Sequence, residues 1–165
     1  MGATEKIGDP NSQGALALDP IALLKALRPL QWVKNGLVFL PFVFAVDLAW
    51  STDDLGPVPE LLLKLVFVAL AFCALSSAIY LFNDLMDRSG DRLHPVKKNR
   101  PIASGKVGVP VAVAVMIMLA TAGLVAMVLV EPFLGLAGGL YAGINVGYSL
   151  GIKQVVLLDA FAVTS

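Results

Sequence analysis

Four stretches of this sequence run for about twenty residues with almost no charge, and that feature constrains the fold more than any other. A helix crossing the hydrocarbon core of a bilayer needs about 20 predominantly apolar residues. Leu61–Phe82 meets that length with Lys64 as its one charged residue, close enough to an end for the ammonium to snorkel out. Val109–Val130 and Pro132–Ile152 carry no charge at all. Leu30–Trp50 is less regular, with Lys34 near one end, Asp47 near the other and Pro41 between them. Its centre, Gly36–Val46, is nevertheless apolar, and Trp32 and Trp50 stand where interfacial aromatics gather. A fifth apolar stretch, Gln154–Ser165, is too short to cross.

Composition agrees. Hydrophobic residues make up 58% of the 165 residues and charged residues 15%, against about 45–50% and about 25% in soluble domains. That excludes a soluble globular enzyme and a disordered chain, and the zero net charge argues against a nucleic-acid binder. The single Cys73 cannot form an intrachain disulfide. The expected fold is an all-α membrane protein: the N-terminal half of a multi-span helical bundle, with four complete transmembrane helices and the start of a fifth. Met1–Pro20 is polar and lacks the basic start and apolar run of a signal peptide. Residues 1–24 are therefore expected to be a disordered cytoplasmic tail, and residues 25–165 a partial transmembrane domain with a cytoplasmic loop over 83–107.

The connections alternate in charge. Lys25–Lys34 holds three bases and no acid, Asp47–Glu60 four acids and no base, and Asp84–Lys106 six bases and three acids. Basic loops stay inside, which puts the N-terminus, the 83–107 loop and Lys153 in the cytoplasm, as four spans require. In the fourth span Gly135, Gly139, Gly143, Gly147 and Gly151 recur every four residues. That spacing predicts a groove down one side of the helix for tight helix packing.

The chemistry concentrates where the second span ends. Asn83, Asp87 and Asp91 are spaced by four, so a continuing helix lines their oxygens up as one stripe, with Asp84 beside it. Such a stripe suits Mg²⁺, a hard cation commonly held by one or two carboxylates together with substrate phosphates. Downstream, Lys97, Lys98, Arg100 and Lys106 supply cations for phosphate oxygens that a metal leaves free. The bland alternative is a solvated acidic helix end beside positive-inside charges. Arg28, Gln31, Lys34 and Asn35 open the first span, and Tyr148, Ser149, Lys153 and Asp159 stand near the end of the fourth and the start of the fifth. Polar groups at membrane depth are expensive unless they meet partners, and Asp159 lies inside an apolar run. His94 before Pro95 is expected to end a helix rather than bind Mg²⁺, since imidazole suits softer metals.

Asn83-Asp84-x-x-Asp87-x-x-x-Asp91 after a second span resembles the first aspartate-rich motif of the UbiA superfamily of intramembrane prenyltransferases. The start Arg28-Pro29-x-Gln31-Trp32-x-Lys34-Asn35 resembles the branch that transfers 5-phosphoribose to decaprenyl phosphate. So do the loop from His94-Pro95 to Pro101-Ile102-Ala103-Ser104-Gly105 and the segment Tyr148-Ser149…Lys153…Asp159. The resemblance implies a bundle of about nine spans around a cavity, so the chain is expected to be a fragment of a longer enzyme, inactive by itself.

It also implies an Mg²⁺-dependent transferase in the cell membrane. Phosphoribosyl pyrophosphate would be the donor and a polyprenyl phosphate the acceptor, in the synthesis of cell-envelope precursors. Asp84, Asp87, Asp91 and Asp159 would be catalytic, and Asn83, Asp84, Asp87 and Asp91 would hold metal. Arg28, Gln31, Lys34, Asn35, Lys98, Arg100, Tyr148 and Lys153 would bind substrate. Two alternatives stand beside it: prenyl transfer from a prenyl diphosphate to an aromatic acceptor, and a non-catalytic four-span membrane subunit.

Overall fold

The computed structural model describes residues 17–45 and 47–152. Among these residues the regular elements are helical, and an antiparallel bridge joins Leu18 and Val107. The first helix, α1, spans Pro20–Ala26. Asp19 caps it, its Oδ1 accepting from Ile21 N at 3.0 Å and Ala22 N at 3.1 Å, and Pro20 fills a first-turn position that has no N–H to satisfy. The segment expected to be tail up to residue 24 is thus folded from residue 17 onward, because the cap starts a helix whose Ala22 and Ala26 are buried. Residues 1–16 lie outside the described residues.

The expected span Leu30–Trp50 is not one helix. A 3-10 helix covers Pro29–Phe39, and a short α2 covers Leu40–Phe44. Pro41 lacks an N–H and its ring clashes with the carbonyl four residues back, so an α-helix cannot run through it unbroken. Asp47 then adopts a positive φ of 65°, and the chain turns back. Trp50 stacks on Phe42 with ring centroids 5.2 Å apart, and its Nε1 donates to the Phe42 carbonyl at 3.0 Å.

Helix α3, Val58–Met86, has 29 residues and contains the expected span Leu61–Phe82. A six-residue α4 follows at Arg88–Leu93, and α5 occupies Val109–Val130, the stretch expected from sequence. The expected span Pro132–Ile152 divides into α6, Pro132–Gly147, and a π-helical turn over Tyr148–Ile152. The 16 residues of α6 rise about 24 Å at 1.5 Å each, short of a hydrocarbon core about 30 Å thick. Two helices among the described residues, α3 and α5, are long and apolar enough to cross a membrane, where four had been expected. Gln154–Ser165 lies outside the described residues.

Helices α3, α5 and α6 pack through small residues, of which only Gly135 belongs to the glycine stripe. A Cβ on Gly123 of α5 would stand 2.9 Å from the Ala71 carbonyl oxygen and 3.2 Å from Leu75 N, so α5 lies directly on the α3 backbone. Gly138 of α6 meets Met127, and Gly135 meets Val128. Among the described residues nothing lies within 4 Å of a would-be Cβ on Gly139, Gly143, Gly147 or Gly151, so four of the five stripe glycines meet no described helix. The core between these helices is Ala71, Leu75, Ile79 and Met127. Ile117, Met118, Val125 and Leu129 of α5 point outward and exposed, as they do on a helix whose solvent is lipid.

A second core fixes what surrounds the Met86 end of α3. Ala22 and Ala26 of α1, Leu81 of α3, Ile102 and Val107 of the following loop, and Ala112 of α5 are all buried together. Backbone pairing reinforces it: Asp19 N donates to Lys106 O at 3.1 Å and Gly108 N to Ala17 O at 2.8 Å. The N-terminal segment and the loop are thereby held at one end of α3, which carries the acidic motif.

Candidate active site

A turn at Asp87 ends α3 and starts α4, but helix-type hydrogen bonds still join the stripe positions across it. Asp87 N donates to Asn83 O at 2.9 Å and Asp91 N to Asp87 O at 2.8 Å, so the four-residue stripe read from the sequence exists. Gly90 does not fray it: Asp91 is helical and 4% exposed. His94 ends α4, turning to an extended conformation, and its Nδ1 accepts from the Val96 and Lys97 amides, each at 3.2 Å.

The closest partnership is between Asp84 and Asp91, not along the stripe. Residues seven apart on an α-helix differ by about 20° around the axis, so these two carboxylates share a face two turns apart. Arg100 Nη1 bridges them, 3.3 Å from Asp84 Oδ1 and 2.7 Å from Asp91 Oδ2. From the opposite side Arg28 Nη2 donates to Asp84 Oδ1 at 2.7 Å, with its guanidinium 4.7 Å from the centre of the Tyr80 ring. Arg28 reaches this position from a left-handed backbone, φ 54°, between α1 and the 3-10 helix. Buried carboxylates persist only when paired and hydrogen-bonded, and two guanidiniums supply that here.

Around this network lies a cleft of about 160 Å³ bordered by Arg28, Tyr80, Asn83, Asp84, Asp87, Arg100, Tyr148 and Ser149. A wider one of about 340 Å³ is bordered by Asp87, Ser89, Gly90, Asp91, His94 and Lys97 with Met86. Asp87 borders both.

The structure therefore gathers Arg28, Asn83, Asp84, Asp87, Asp91, Arg100 and Tyr148 of the residues singled out from sequence. Others go elsewhere. Asn35 Nδ2 donates to Cys73 Sγ at 3.3 Å and Ser76 Oγ at 3.4 Å, fastening the 3-10 helix to the middle of α3. Gln31 borders a separate, largely apolar groove beside Ile21 and Leu24, and Lys34 and Lys98 are exposed. Lys153 and Asp159 lie outside the described residues. Sequence reasoning passed over Tyr80, which carries Arg28; of the basic loop residues it named, Lys97 rather than its neighbour Lys98 borders the wider cleft. For Tyr80 the signal was its helical position, one turn before Asp84.

A divalent cation has a partial footing. Among the described residues Asn83 Oδ1 is buried without a hydrogen-bond partner, an acceptor in want of a cation or donor. Among the described residues, however, no three acidic, histidine or cysteine side chains gather as a metal cluster, because Asp84 and Asp91 point at guanidiniums. Asn83 and Asp87 border the same cleft, and this oxygen set suits an ion that completes its shell with water and substrate phosphate.

Comparison with known proteins places this arrangement. The profile of the UbiA prenyltransferase family matches residues 38–164. Decaprenyl-phosphate phosphoribosyltransferase of Mycolicibacterium smegmatis is 35% identical over 143 residues, 87% of this chain and 44% of the relative. Its namesake in Corynebacterium glutamicum is 36% identical over 145 residues, 87% of this chain and 42% of the relative. Nodulation protein NoeC of Azorhizobium caulinodans is 33% identical over 156 residues, 94% of this chain and 48% of the relative. The chain thus spans less than half the length of these relatives. With the family profile covering most of its residues and its acidic motif folded at the end of an apolar helix, this membrane-embedded chain belongs to the UbiA prenyltransferase family.

Proposed function

We propose that the protein is a membrane transferase that moves 5-phosphoribose from phosphoribosyl pyrophosphate to a polyprenyl phosphate, with Mg²⁺, as a step toward cell-envelope precursors. The observation that carries the reading is the cleft at the end of α3, where acidic and basic side chains from three segments meet Tyr148 and Ser149 of a fourth beside an apolar bundle. The names of the phosphoribosyltransferase relatives support the donor and acceptor.

In the reaction, the bond from ribose C1 to the pyrophosphate oxygen breaks, and pyrophosphate leaves with the electron pair. An oxygen of the lipid phosphate forms the new bond to C1, giving a phosphodiester. Arg28 and Tyr148 border the narrow cleft and bind phosphate oxygens there. Lys97 does so in the wider cleft, and Lys98, exposed on the same turn, adds charge at its mouth. Asn83 and Asp87 would hold the divalent cation, whose contribution is to neutralise charge on the departing pyrophosphate. Lys153 and Asp159 lie outside the described residues, and their roles in substrate binding and catalysis rest on the resemblance of the Tyr148-Ser149…Lys153…Asp159 segment. The basic charge of the N-terminal segment and loop supports a cytoplasmic face, which would let a water-soluble donor meet a lipid acceptor at the bilayer edge.

The test is incubation of membranes carrying the protein with polyprenyl phosphate, Mg²⁺ and phosphoribosyl pyrophosphate labelled in the ribose. Label entering the lipid phase supports the reading. Label remaining in the aqueous phase, with prenyl transfer to an aromatic acceptor under the same conditions, overturns it.

A further inference from the structure

Arg100 follows the 3-10 turn Lys97–Asn99, and a single nitrogen of its guanidinium touches both helices of the acidic motif. The carboxylates it joins are 3% and 5% exposed, while Arg100 itself is 28% exposed. Its backbone is fixed as well, Arg100 N donating to Lys97 O at 2.9 Å and Arg100 O accepting from Ser104 N at 2.8 Å. Arg92 Nε donates to the Ala103 carbonyl at 3.2 Å, tying α4 to the same turn. Two buried carboxylates on one helix face would repel without a cation between them. The shortest contact Arg100 makes goes to Asp91, at 2.7 Å, and Asp91 does not border the narrow cleft. Arg100 borders the narrow cleft, but the side-chain contacts it makes go to the two carboxylates.

On the transferase reading above, the geometry points to Arg100 as a positioning residue. It acts through Asp84 and Asp91 rather than by binding substrate phosphate, and locks α4 and the loop onto α3 so that the motif is assembled before any ligand arrives. Lysine should take its place in part, because one nitrogen makes both contacts and an ammonium keeps that charge, but on a more flexible stem.

The experiment compares Arg100→Gln, Asp91→Asn, the double variant and Arg100→Lys in membranes carrying the full protein. Two readouts are taken: kcat and donor KM for transfer, and the rate of tryptic cleavage at Lys97 and Lys98 without substrate. Each single variant should lower kcat roughly 100-fold, the scale of a displaced catalytic constellation, while donor KM stays within about twofold. The double variant should be no slower than the worse single, since both changes remove one contact. Arg100→Lys should restore part of kcat, and trypsin should cut the Arg100→Gln loop faster than the wild-type loop. A raised donor KM with kcat retained, or additive losses in the double variant, would overturn the inference in favour of phosphate binding. Lower thermal stability with unchanged kcat per folded molecule would overturn it in favour of a purely structural contact. If Arg100→Gln or Asp91→Asn does not fold, Arg100→Lys decides alone, by a kcat loss at constant KM or its absence. If wild-type membranes show no phosphoribosyl transfer, the functional reading fails, and equal tryptic rates would then separately refute the lock.

Discussion

Arg28 and Asp84 are 56 residues apart in the chain and meet at 2.7 Å, Nη2 to Oδ1, at the end of the longest helix. The pair joins the N-terminal segment to the acidic motif. It also requires a backbone at Arg28 that L-residues avoid, with φ at 54°. Local strain is accepted because it aims a guanidinium at a carboxylate only 3% exposed.

The first prediction separates strain from charge. Arg28→Ala should destabilise the folded protein by about 3 kcal/mol, the low end for breaking a buried ion pair. Arg28→Gly removes the same charge but suits the left-handed backbone, so it should cost about 1 kcal/mol less than Arg28→Ala. Thermal or chemical unfolding in detergent micelles measures both, and equal losses would show that the left-handed conformation carries no strain.

Close packing gives a second prediction. Gly123→Ala drives a methyl group into the α3 backbone at Ala71 and Leu75, neither of which can swing aside, and should cost about 1–3 kcal/mol. Gly139→Ala and Gly143→Ala meet nothing and should be neutral or stabilising by up to about 1 kcal/mol through helix propensity. The same unfolding measurement ranks them, and a loss at Gly143 as large as that at Gly123 would contradict the packing described.

Ser77 supports a third. Its Oγ accepts from Trp32 Nε1 at 3.0 Å and lies within donating distance of the Cys73 and Leu27 carbonyls, at 2.8 and 3.0 Å. Ser77→Ala leaves the indole N–H without that acceptor, at a cost of about 1 kcal/mol. Tryptophan fluorescence should shift and the melting temperature fall, whereas Ser77→Thr, which keeps the hydroxyl, should retain most of both.

Much of this architecture was legible in the residues. The uncharged runs of α3 and α5 could only be long apolar helices, and α5 has the bounds that charge alone suggested. The acidic stripe was readable because a four-residue spacing on a helix has one geometric meaning, and His94 before Pro95 ends its helix as expected. Two things were not legible. Pro41 and the reversal at Asp47 break an apolar stretch that hydropathy scores as continuous, since hydropathy does not register a missing N–H. The pairing of Asp84 with Asp91 depends on Arg28 and Arg100 arriving from distant segments, which no local spacing announces. For the same reason Asn35, grouped with the site by its polarity, proves to serve a seam with α3.

The fourth prediction concerns the divalent cation. Chelation with excess EDTA should abolish transfer, and added Mg²⁺ should restore it. Asn83→Ala, which removes the buried unpartnered oxygen, should raise the Mg²⁺ concentration needed for half-maximal rate by roughly 10–100-fold, the usual cost of losing a group that supports a metal site. An unchanged Mg²⁺ requirement would place the cation away from Asn83.

The most direct measurement is the chemical identity of the lipid product, by mass spectrometry and phosphodiesterase digestion after incubation with phosphoribosyl pyrophosphate and polyprenyl phosphate. The account predicts a polyprenyl phosphate esterified through phosphate to C1 of ribose 5-phosphate, with one pyrophosphate released per product. A prenylated aromatic formed from prenyl diphosphate, with the polyprenyl phosphate unmodified, would contradict it.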